Sequence, residues 1–154
     1  MGLKIGDRIP HFELKDQFGQ LFKSADHVGK KPLVIYFYPK DHTPGCTKEA
    51  CQFKDSYEEF TDLGAEVIGI SADSEQSHRS FASKYDLPFI LLADTQKKVR
   101  RMFKVENSLL VLPGRETYVV DGEGKIVMVF NSVNAGEHMK KALLALKALI
   151  KSLR

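Results

Sequence analysis

The chain has 154 residues, which suits one domain with a sizeable core, and we expect a single domain over residues 1–154. A hydrophobic fraction of 43% and a charged fraction of 28% are typical of a globular protein in water, and a net charge of +3 is too small to indicate nucleic-acid binding. The sequence has no apolar run that could span a bilayer, no secretory signal near Met1, and two cysteines, too few for a disulfide-stapled scaffold. These features favour a reducing, intracellular compartment.

Turn signals and hydrophobic periodicity predict strands that alternate with helices. A hairpin with its turn at 16–19 opens the chain, and a second hairpin with its turn at 121–124 precedes the last helix. The predicted strands span 12–15, 20–22, 33–38, 66–71, 89–92, 116–120 and 125–130, and the predicted helices are one over 44–63, one that Ser74 caps, one that Asp94 caps and one that starts at Asn134. This order favours an α/β sandwich with a mixed central sheet.

Several details of these elements depend on single residues. Pro39 ends the apolar strand because it has no N–H for the sheet, and the segment 106–114 has the character of a loop. Glu137 has capping-box spacing from Asn134. The helix that Asp94 caps is predicted to present a solvent-exposed basic face formed by Lys97, Lys98, Arg100 and Arg101. The last helix is predicted to bury Met139, Leu143, Leu146, Ile150 and Leu153.

Both cysteines, Cys46 and Cys51, lie where the helix over 44–63 is predicted to begin. Thr43 is a good N-cap and Pro44 suits the first helical position, so Cys46 falls in the first turn. Free backbone N–H groups and the helix dipole stabilise a thiolate there. Helical phase places Cys46 on the core-facing side and rotates Cys51 by about 140° toward the polar face. The position of Cys46 therefore indicates an activated sulfur.

The spacing of the two cysteines restricts how they can react with each other. Two Cα atoms five residues apart on a regular helix are separated by about 8.7 Å. A disulfide needs a Cα separation below about 7 Å. A disulfide between Cys46 and Cys51 therefore requires the first turns of the helix to unwind, and we expect local unfolding over residues 43–52 on oxidation.

Other interpretations stay open from the residues alone. Cys46 could be a small buried hydrophobic residue, the two cysteines could bind a metal together with His42, and Cys51 could be incidental. His42 is otherwise interpreted as a solvated loop histidine. Tyr36 and Tyr38 are interpreted as core residues of the preceding strand.

The run Pro39-Lys40-Asp41-His42-Thr43-Pro44-Gly45-Cys46 resembles the Pro-x-x-x-Thr-x-x-Cys signature of peroxiredoxins. Cys51 is similar in position to the second cysteine of the peroxiredoxin Q (bacterioferritin comigratory protein) subfamily, and the runs 80–85 and 112–121 also resemble that subfamily. The resemblance extends over nearly the whole chain and implies a thioredoxin-like fold.

The same resemblance implies a peroxidase that reduces hydrogen peroxide and organic hydroperoxides without metal, haem or flavin. It implies that Cys46 is the peroxidatic nucleophile and Cys51 the resolving cysteine, which condense to an intramolecular disulfide that thioredoxin reduces. It further implies that Thr43 and Arg115 complete the peroxide site and that Pro39 shields it.

The resemblance also favours a monomer. The low cysteine count favours the cytoplasm, with the plastid stroma or lumen as the alternative if a transit peptide has been removed. Position 49 is Glu where the family also has Gln, and a like charge near the thiolate would disfavour it. Two other classes compete with a peroxidase. One is a thioredoxin-fold metal-binding protein such as a copper-delivery module, against which Thr43 and Arg115 argue. The other is a dithiol–disulfide reductase, which would be expected to carry Cys-x-x-Cys.

Overall fold

The computed structural model describes residues 2–105, 107–108, 112–113, 115–132 and 134–153. None of the helices in this part of the chain has the length and apolarity needed to cross a membrane. The strands are β1 (Glu13–Asp16), β2 (Leu21–Lys23), β3 (Leu33–Phe37), β4 (Glu66–Ser71), β5 (Ile90–Ala93), β6 (Asn107–Ser108), β7 (Leu112–Pro113), β8 (Glu116–Val120) and β9 (Ile126–Asn131). The α-helices are α1 (Pro44–Asp55), α2 (Tyr57–Asp62), α3 (Glu75–Tyr85), α4 (Lys98–Met102) and α5 (His138–Ser152).

Seven of the described strands form one sheet in the order β2-β1-β5-β4-β3-β8-β9. The pairs β3–β4 and β4–β5 are parallel, and the other pairs are antiparallel. The N-terminal hairpin of β1 and β2 joins this sheet through the edge of β5. The predicted α/β fold, its mixed sheet and both hairpins are therefore confirmed.

The central strand β3 is buried along its whole length and separates two cores. On one side, Tyr36 packs in a core that includes Phe53 of α1 and Leu146 of α5. On the other side, Ile35 packs in a core that includes Val99 of α4. Because both faces of β3 are covered, its sequence is a continuous apolar run instead of an alternating one.

The single helix predicted over 44–63 is wrong, because the chain forms α1 and α2 with a break at Ser56. Ser56 leaves the helical region, with φ −106° and ψ 6°. Short polar side chains such as serine disfavour a helix interior because they compete for backbone hydrogen bonds. After the break, the Tyr57 hydroxyl donates to Glu66 Oε1 at 2.7 Å, and Phe60 stays in the core.

The basic cluster before residue 102 does not form a uniformly exposed face. Lys97, Lys98 and Arg101 are exposed as predicted, whereas Arg100 is only 5% exposed. The Arg100 Nη2 donates to the backbone oxygen of Tyr38 at 3.2 Å, next to the end of β3. The prediction of a solvated face is therefore wrong for Arg100.

The predicted N-cap of α4 is also displaced. The Asp94 carboxylate accepts the N–H groups of Val99 and Arg100 at 3.1 and 2.9 Å. The helix itself begins at Lys98, after Lys97 in the left-handed region with φ 58°. Asp94 thus stabilises the helix start from a position upstream of the N-cap. Ser74 is the N-cap of α3 as predicted.

The last helix begins at His138 and not at Asn134. Asn134 caps a 3₁₀ turn over Ala135–Glu137, and its side-chain oxygen accepts the Gly136 N–H at 2.9 Å. This turn takes the place of the predicted capping box. Leu153, predicted to be buried, lies beyond the helix and is 73% exposed.

The segment predicted as a loop contains two short strands, β6 and β7, which pair antiparallel. Residues 106, 109–111 and 114 of that segment lie outside the described residues. They include Gly114 of the run 112–121 that resembles the peroxiredoxin Q subfamily.

Candidate active site

A short loop connects the end of β3 to the start of α1. Pro39 is half-buried where the chain leaves the sheet, and β3 ends before it, as predicted. Thr43 has the extended backbone of an N-cap, with φ −80° and ψ 152°, and Pro44 is the first helical residue. The Thr43 hydroxyl, however, donates to the backbone oxygen of Lys40 at 2.8 Å. Its oxygen therefore does not cap the helix, although its backbone occupies the predicted position.

The Cys46 thiol lies in the first turn of α1 and is 1% exposed. The Arg115 Nη2 donates to the Cys46 Sγ over 3.4 Å. The sheet explains this contact, because β8 pairs with β3 and places Glu116 opposite Phe37. Arg115, directly before β8, consequently lies at the carboxyl end of β3. Ligand chemistry in open α/β sheets is generally found at that edge.

Glu49 lies on α1 one turn after Cys46 and is fully buried. Its Oε1 accepts from the Arg115 Nη1 at 2.5 Å, so one guanidinium donates to both the carboxyl group and the thiol. Burial raises the pKa of Glu49 to about 8, although the charge and hydrogen bond of Arg115 lower it. Burial opposes the charge of Arg115 as well, but Glu49 and Cys46 raise the pKa of Arg115 overall. The carboxyl group that the sequence places near the thiol is therefore held against a cation.

His138, the first residue of α5, packs on the other side of Glu49. Its Nδ1 lies 3.6 Å from Glu49 Oε2 and 2.7 Å from the Thr117 hydroxyl oxygen. Its Nε2 lies 2.7 Å from the backbone oxygen of Ser132. Because a carbonyl can only accept, Nε2 carries the hydrogen and Nδ1 accepts from Thr117. Burial lowers the pKa of His138 to about 4, so the ring is neutral near pH 7.

Cys51 is half-buried on α1, and both cysteines are free thiols. They lie in one continuous helix, so their Cα atoms have the helical separation of about 8.7 Å. This separation exceeds the roughly 7 Å limit for a disulfide. The two sulfurs cannot bond while α1 keeps this conformation.

The aromatic and histidine residues near the loop lie as expected. Tyr36 and Tyr38 are buried core residues, and the Tyr36 ring stacks on Phe53 with a centroid distance of 4.6 Å. His42 is exposed, and its ring lies edge-on against Phe81 at 5.2 Å. His42 contributes packing at the surface of the loop.

Among the described residues, the grouping that has metal-ligand spacing is Asp41, Asp73 and His78. It contains neither cysteine and does not include His42. Its polar atoms are engaged in hydrogen bonds, including one of 2.7 Å between His78 Nδ1 and Asp41 Oδ2. The metal-binding interpretation of the cysteines gains no support from it.

Sequence reasoning missed His78, His138 and Arg100. His78 had a signal, since it lies three residues before Phe81 on the apolar face of its helix. His138 had none, because its contacts come from α1 and β8, which are distant in the sequence. Arg100 was hidden among exposed basic neighbours.

Comparison with known proteins agrees with this geometry. Residues 5–129 match the model of the AhpC/TSA family. The chain is 51% identical over 146 residues to the chloroplastic peroxiredoxin Q of Sedum lineare, covering 94% of this chain and 78% of that protein. It is 50% identical over 145 residues to the chloroplastic peroxiredoxin Q of Arabidopsis thaliana, covering 93% of this chain and 67% of that protein.

Solved structures give the same result. Peroxidoxin BcpB from Mycobacterium tuberculosis superposes with a TM-score of 0.88 and 38% identity, covering 96% of this chain and 98% of the other. Peroxiredoxin Q from Xanthomonas campestris superposes with a TM-score of 0.83 and 36% identity, covering 90% and 91% of the two chains. The fold is therefore thioredoxin-like, as the sequence resemblance implies.

A thiol buried at a helix start, on this fold and beside an arginine, defines an enzyme of the thiol peroxidase class. The chain belongs to the AhpC/TSA family and, within it, to the peroxiredoxin Q subfamily. Members of this family use a peroxide as substrate and a thiol compound as reductant.

Proposed function

We propose that this enzyme reduces hydrogen peroxide and organic hydroperoxides through Cys46, with Cys51 as the resolving cysteine and thioredoxin as the reductant. The observation that carries the proposal is the 3.4 Å contact between Arg115 Nη2 and Cys46 Sγ in the first turn of α1. A solved structure of the bacterioferritin comigratory protein from Xanthomonas campestris concerns alkyl peroxide reduction by that protein, which supports organic hydroperoxides as substrates here.

The first step forms a bond between sulfur and oxygen. The Cys46 thiolate attacks the terminal peroxide oxygen, the O–O bond breaks, and the sulfur loses two electrons to become sulfenic acid. The peroxide gains those two electrons and leaves as an alkoxide or hydroxide, which takes a proton from water. The developing negative charge on the leaving oxygen needs hydrogen-bond donors.

Arg115, Thr43 and the Cys46 backbone N–H supply these donors in our proposal. Arg115 already donates to the Cys46 sulfur, so its guanidinium is positioned for an oxygen bound beside that sulfur. The Thr43 hydroxyl must turn away from the Lys40 oxygen to reach the substrate. Pro39 forms an apolar wall with no competing N–H.

The second step joins the two cysteines. The Cys51 thiolate attacks the sulfenic sulfur of Cys46, the S–O bond breaks, and hydroxide leaves and takes a proton to become water. Because both residues lie in α1, this step follows unwinding of the first turns of the helix. A thioredoxin dithiol then reduces the disulfide by two exchange steps and becomes oxidised itself.

The test is coupled peroxide turnover with thioredoxin and its reductase, measured for the wild type, C46S and C51S. We expect C46S to consume no peroxide. We expect C51S to react once, to turn over poorly and to over-oxidise at Cys46. Full thioredoxin-dependent turnover by C51S would remove Cys51 from the mechanism, and turnover only with a glutathione–glutaredoxin system would replace the reductant.

We further propose a monomer that acts in the plastid stroma or lumen. The relatives from Sedum lineare and Arabidopsis thaliana are chloroplastic proteins, which favours this compartment over the cytoplasm. Light scattering after size-exclusion chromatography tests the monomer, and immunolocalisation in the source cells tests the compartment.

A further inference from the structure

Asp41 precedes the N-cap of α1 by two residues and is almost fully buried. Its carboxylate accepts from the Tyr38 hydroxyl at 2.6 Å, from the Ser77 hydroxyl at 2.8 Å and from His78 Nδ1 at 2.7 Å. Burial would raise the pKa of Asp41, but hydrogen bonding and the charge of His78 outweigh it and lower the pKa. The carboxylate therefore connects the loop before Cys46 to the helix α3.

His78 extends this connection into the sheet. It is completely buried on α3, and its Nε2 lies 2.9 Å from the backbone oxygen of Leu92 in β5. When the ring is protonated, one nitrogen donates to Asp41 and the other to Leu92. A charge-assisted hydrogen bond of this kind is about twice as strong as a neutral one.

The backbone of Asp41 is fixed as well. Its N–H donates to Asp73 Oδ2 at 2.8 Å, and the same oxygen accepts from the Ser71 hydroxyl at 2.6 Å, just after β4. The loop is thus tied to α3, β4 and β5 at one residue. After Thr43 the chain continues into α1, and the first turns of this helix have to unwind before its two cysteines can form a disulfide.

We propose that His78, acting through Asp41, is a positioning residue for Cys46: it fixes the upstream end of the loop, holds Cys46 against Arg115 in the reduced enzyme, and makes unwinding begin after residue 41. This inference rests on the proposed role of Cys46 as the nucleophile.

The chain between the fixed point and the cysteine is long enough for this arrangement. Cys46 comes five positions after Asp41, and an extended chain over that distance in the sequence spans at most about 16–18 Å. The Cα atoms of Cys46 and Cys51 need to approach by only about 2 Å to satisfy disulfide geometry. The anchor at Asp41 therefore stays intact while the disulfide forms.

Two substitutions of His78 separate positioning from simple stability. The amide nitrogen of Gln corresponds in reach to Nε2, so H78Q keeps a donor for Leu92 and loses the one for Asp41. The amide nitrogen of Asn corresponds to Nδ1, so H78N does the reverse. Each variant removes one buried hydrogen bond at the same site, and only H78Q releases the loop.

The matched control is Q17M. Gln17 is buried, donates to the backbone oxygen of Phe89 at 3.1 Å and accepts the Leu91 N–H at 3.0 Å, away from the loop. A further variant, S77A, is expected to loosen the loop less than H78Q does. It removes the Ser77 donor to the Asp41 carboxylate and leaves His78 in place.

The rate constant for Cys46 oxidation by hydrogen peroxide is measured by rapid-quench alkylation, alongside Tm and amide exchange. We expect H78Q to lower this rate constant at least about tenfold, because small displacements of a reacting group are costly. The rate constant of H78N should be higher than that of H78Q, and S77A should lower the rate constant less than H78Q does. Q17M should lower Tm without changing the rate constant. In the wild type, the Asp41 amide stays protected in both the reduced and the oxidised enzyme.

Equal rate constants for H78Q and H78N would overturn the proposal, as would loss of Asp41 amide protection when the wild type is oxidised. If H78Q does not fold, the S77A rate constant decides the question, and an unchanged value counts against the anchor. Failure of the wild-type Cys46 to react with peroxide is a different outcome. It rejects the proposed function, while protection of the Asp41 amide still reports on the anchor.

Discussion

At the scale of single residues, Arg115 is the group on which the candidate site depends. Its guanidinium divides its donors between Glu49 and Cys46, two groups that each carry negative charge when ionised. Because the pKa of Glu49 is raised to about 8, chiefly by burial, its carboxyl group is largely neutral near pH 7. The positive charge of Arg115 is then available mainly to stabilise a thiolate at Cys46.

The substitution E49Q tests this division of charge. Glutamine keeps an oxygen for Arg115 and cannot ionise, so it reproduces the neutral state at every pH. We expect the ratio of the E49Q to the wild-type rate constant for Cys46 oxidation to rise by up to about tenfold as the pH passes through about 8. The measurement is the pH profile of that rate constant for both proteins, and a ratio that is constant from pH 6 to pH 9 contradicts the interpretation.

The substitution R115K tests the geometry of the donors. Lysine keeps the charge but has one nitrogen in place of two donors in a fixed fork, so it cannot contact Glu49 and Cys46 in the same way. We expect the rate constant for Cys46 oxidation to fall by about 10²–10³-fold, the usual cost of removing a donor aimed at a developing charge. R8K is the control and should leave the rate constant unchanged, because Arg8 Nη1 donates to the backbone oxygen of Glu123 in the turn after β8, at the opposite end of that strand from Arg115.

At the scale of elements, the helix α1 carries both sulfurs and must lose its first turns for them to bond. The break at Ser56 separates α1 from α2, so unwinding of α1 need not extend to the following helix.

Amide exchange tests the unwinding directly. We expect oxidation by one equivalent of peroxide to remove protection from amides of roughly residues 43–52, whereas amides of α2 keep theirs. C51S is the control, since it cannot form the disulfide and should stay protected under the same treatment. Unchanged protection across α1 in the oxidised wild type would exclude local unfolding as the route to the disulfide.

The elements also indicate what the sequence can and cannot reveal. The burial of Cys46 and the start of α1 followed from local rules, because caps and helical phase depend on neighbouring residues. The contact between Cys46 and Arg115 could be expected only from the family resemblance, because it depends on how β8 pairs with β3. The Glu49–His138 contact could not be predicted for the same reason, because α1 and α5, which supply its two residues, are distant in the sequence.

The break at Ser56 and the burial of Arg100 show a second limit of sequence reasoning. In both cases tertiary contacts decide the outcome: the Tyr57–Glu66 hydrogen bond in one, the backbone oxygen of Tyr38 in the other. Serine disfavours a helix interior only weakly, and an arginine in a basic run is usually exposed, so neither outcome follows from local propensity alone. Such overrides are expected where an element packs at the end of a strand.

At the scale of the whole molecule, the buried pair of Glu49 and His138 links folding to pH. The folded Glu49 has a pKa of about 8 against an ordinary 4.5, so folded molecules bind a proton that unfolded ones lack between these values. Stability therefore falls as the pH rises from about 4.5 through about 8. The folded His138 has a pKa of about 4 against an ordinary 6.5, so its contribution rises with pH between these values.

These opposite slopes predict a particular stability curve. Between about pH 4.5 and 6.5 the two contributions change in opposite directions and offset each other. Above this range only the Glu49 contribution still changes, so the free energy of unfolding declines toward pH 8. We expect E49Q to lose that decline, which urea unfolding at several pH values measures. A decline of equal slope in E49Q would assign it to other groups.

The order of strands in the sheet has a consequence for the protein during its synthesis. Cys46 and Arg115 are 69 residues apart in the chain and meet only because β8 takes its place beside β3. A nascent chain that has emerged as far as α4 (Lys98–Met102) contains Cys46 and Glu49 but lacks Arg115, and it also lacks β8 and α5, which pack around them. The contact between Arg115 and Cys46 therefore forms only after the last third of the polypeptide has left the ribosome and folded.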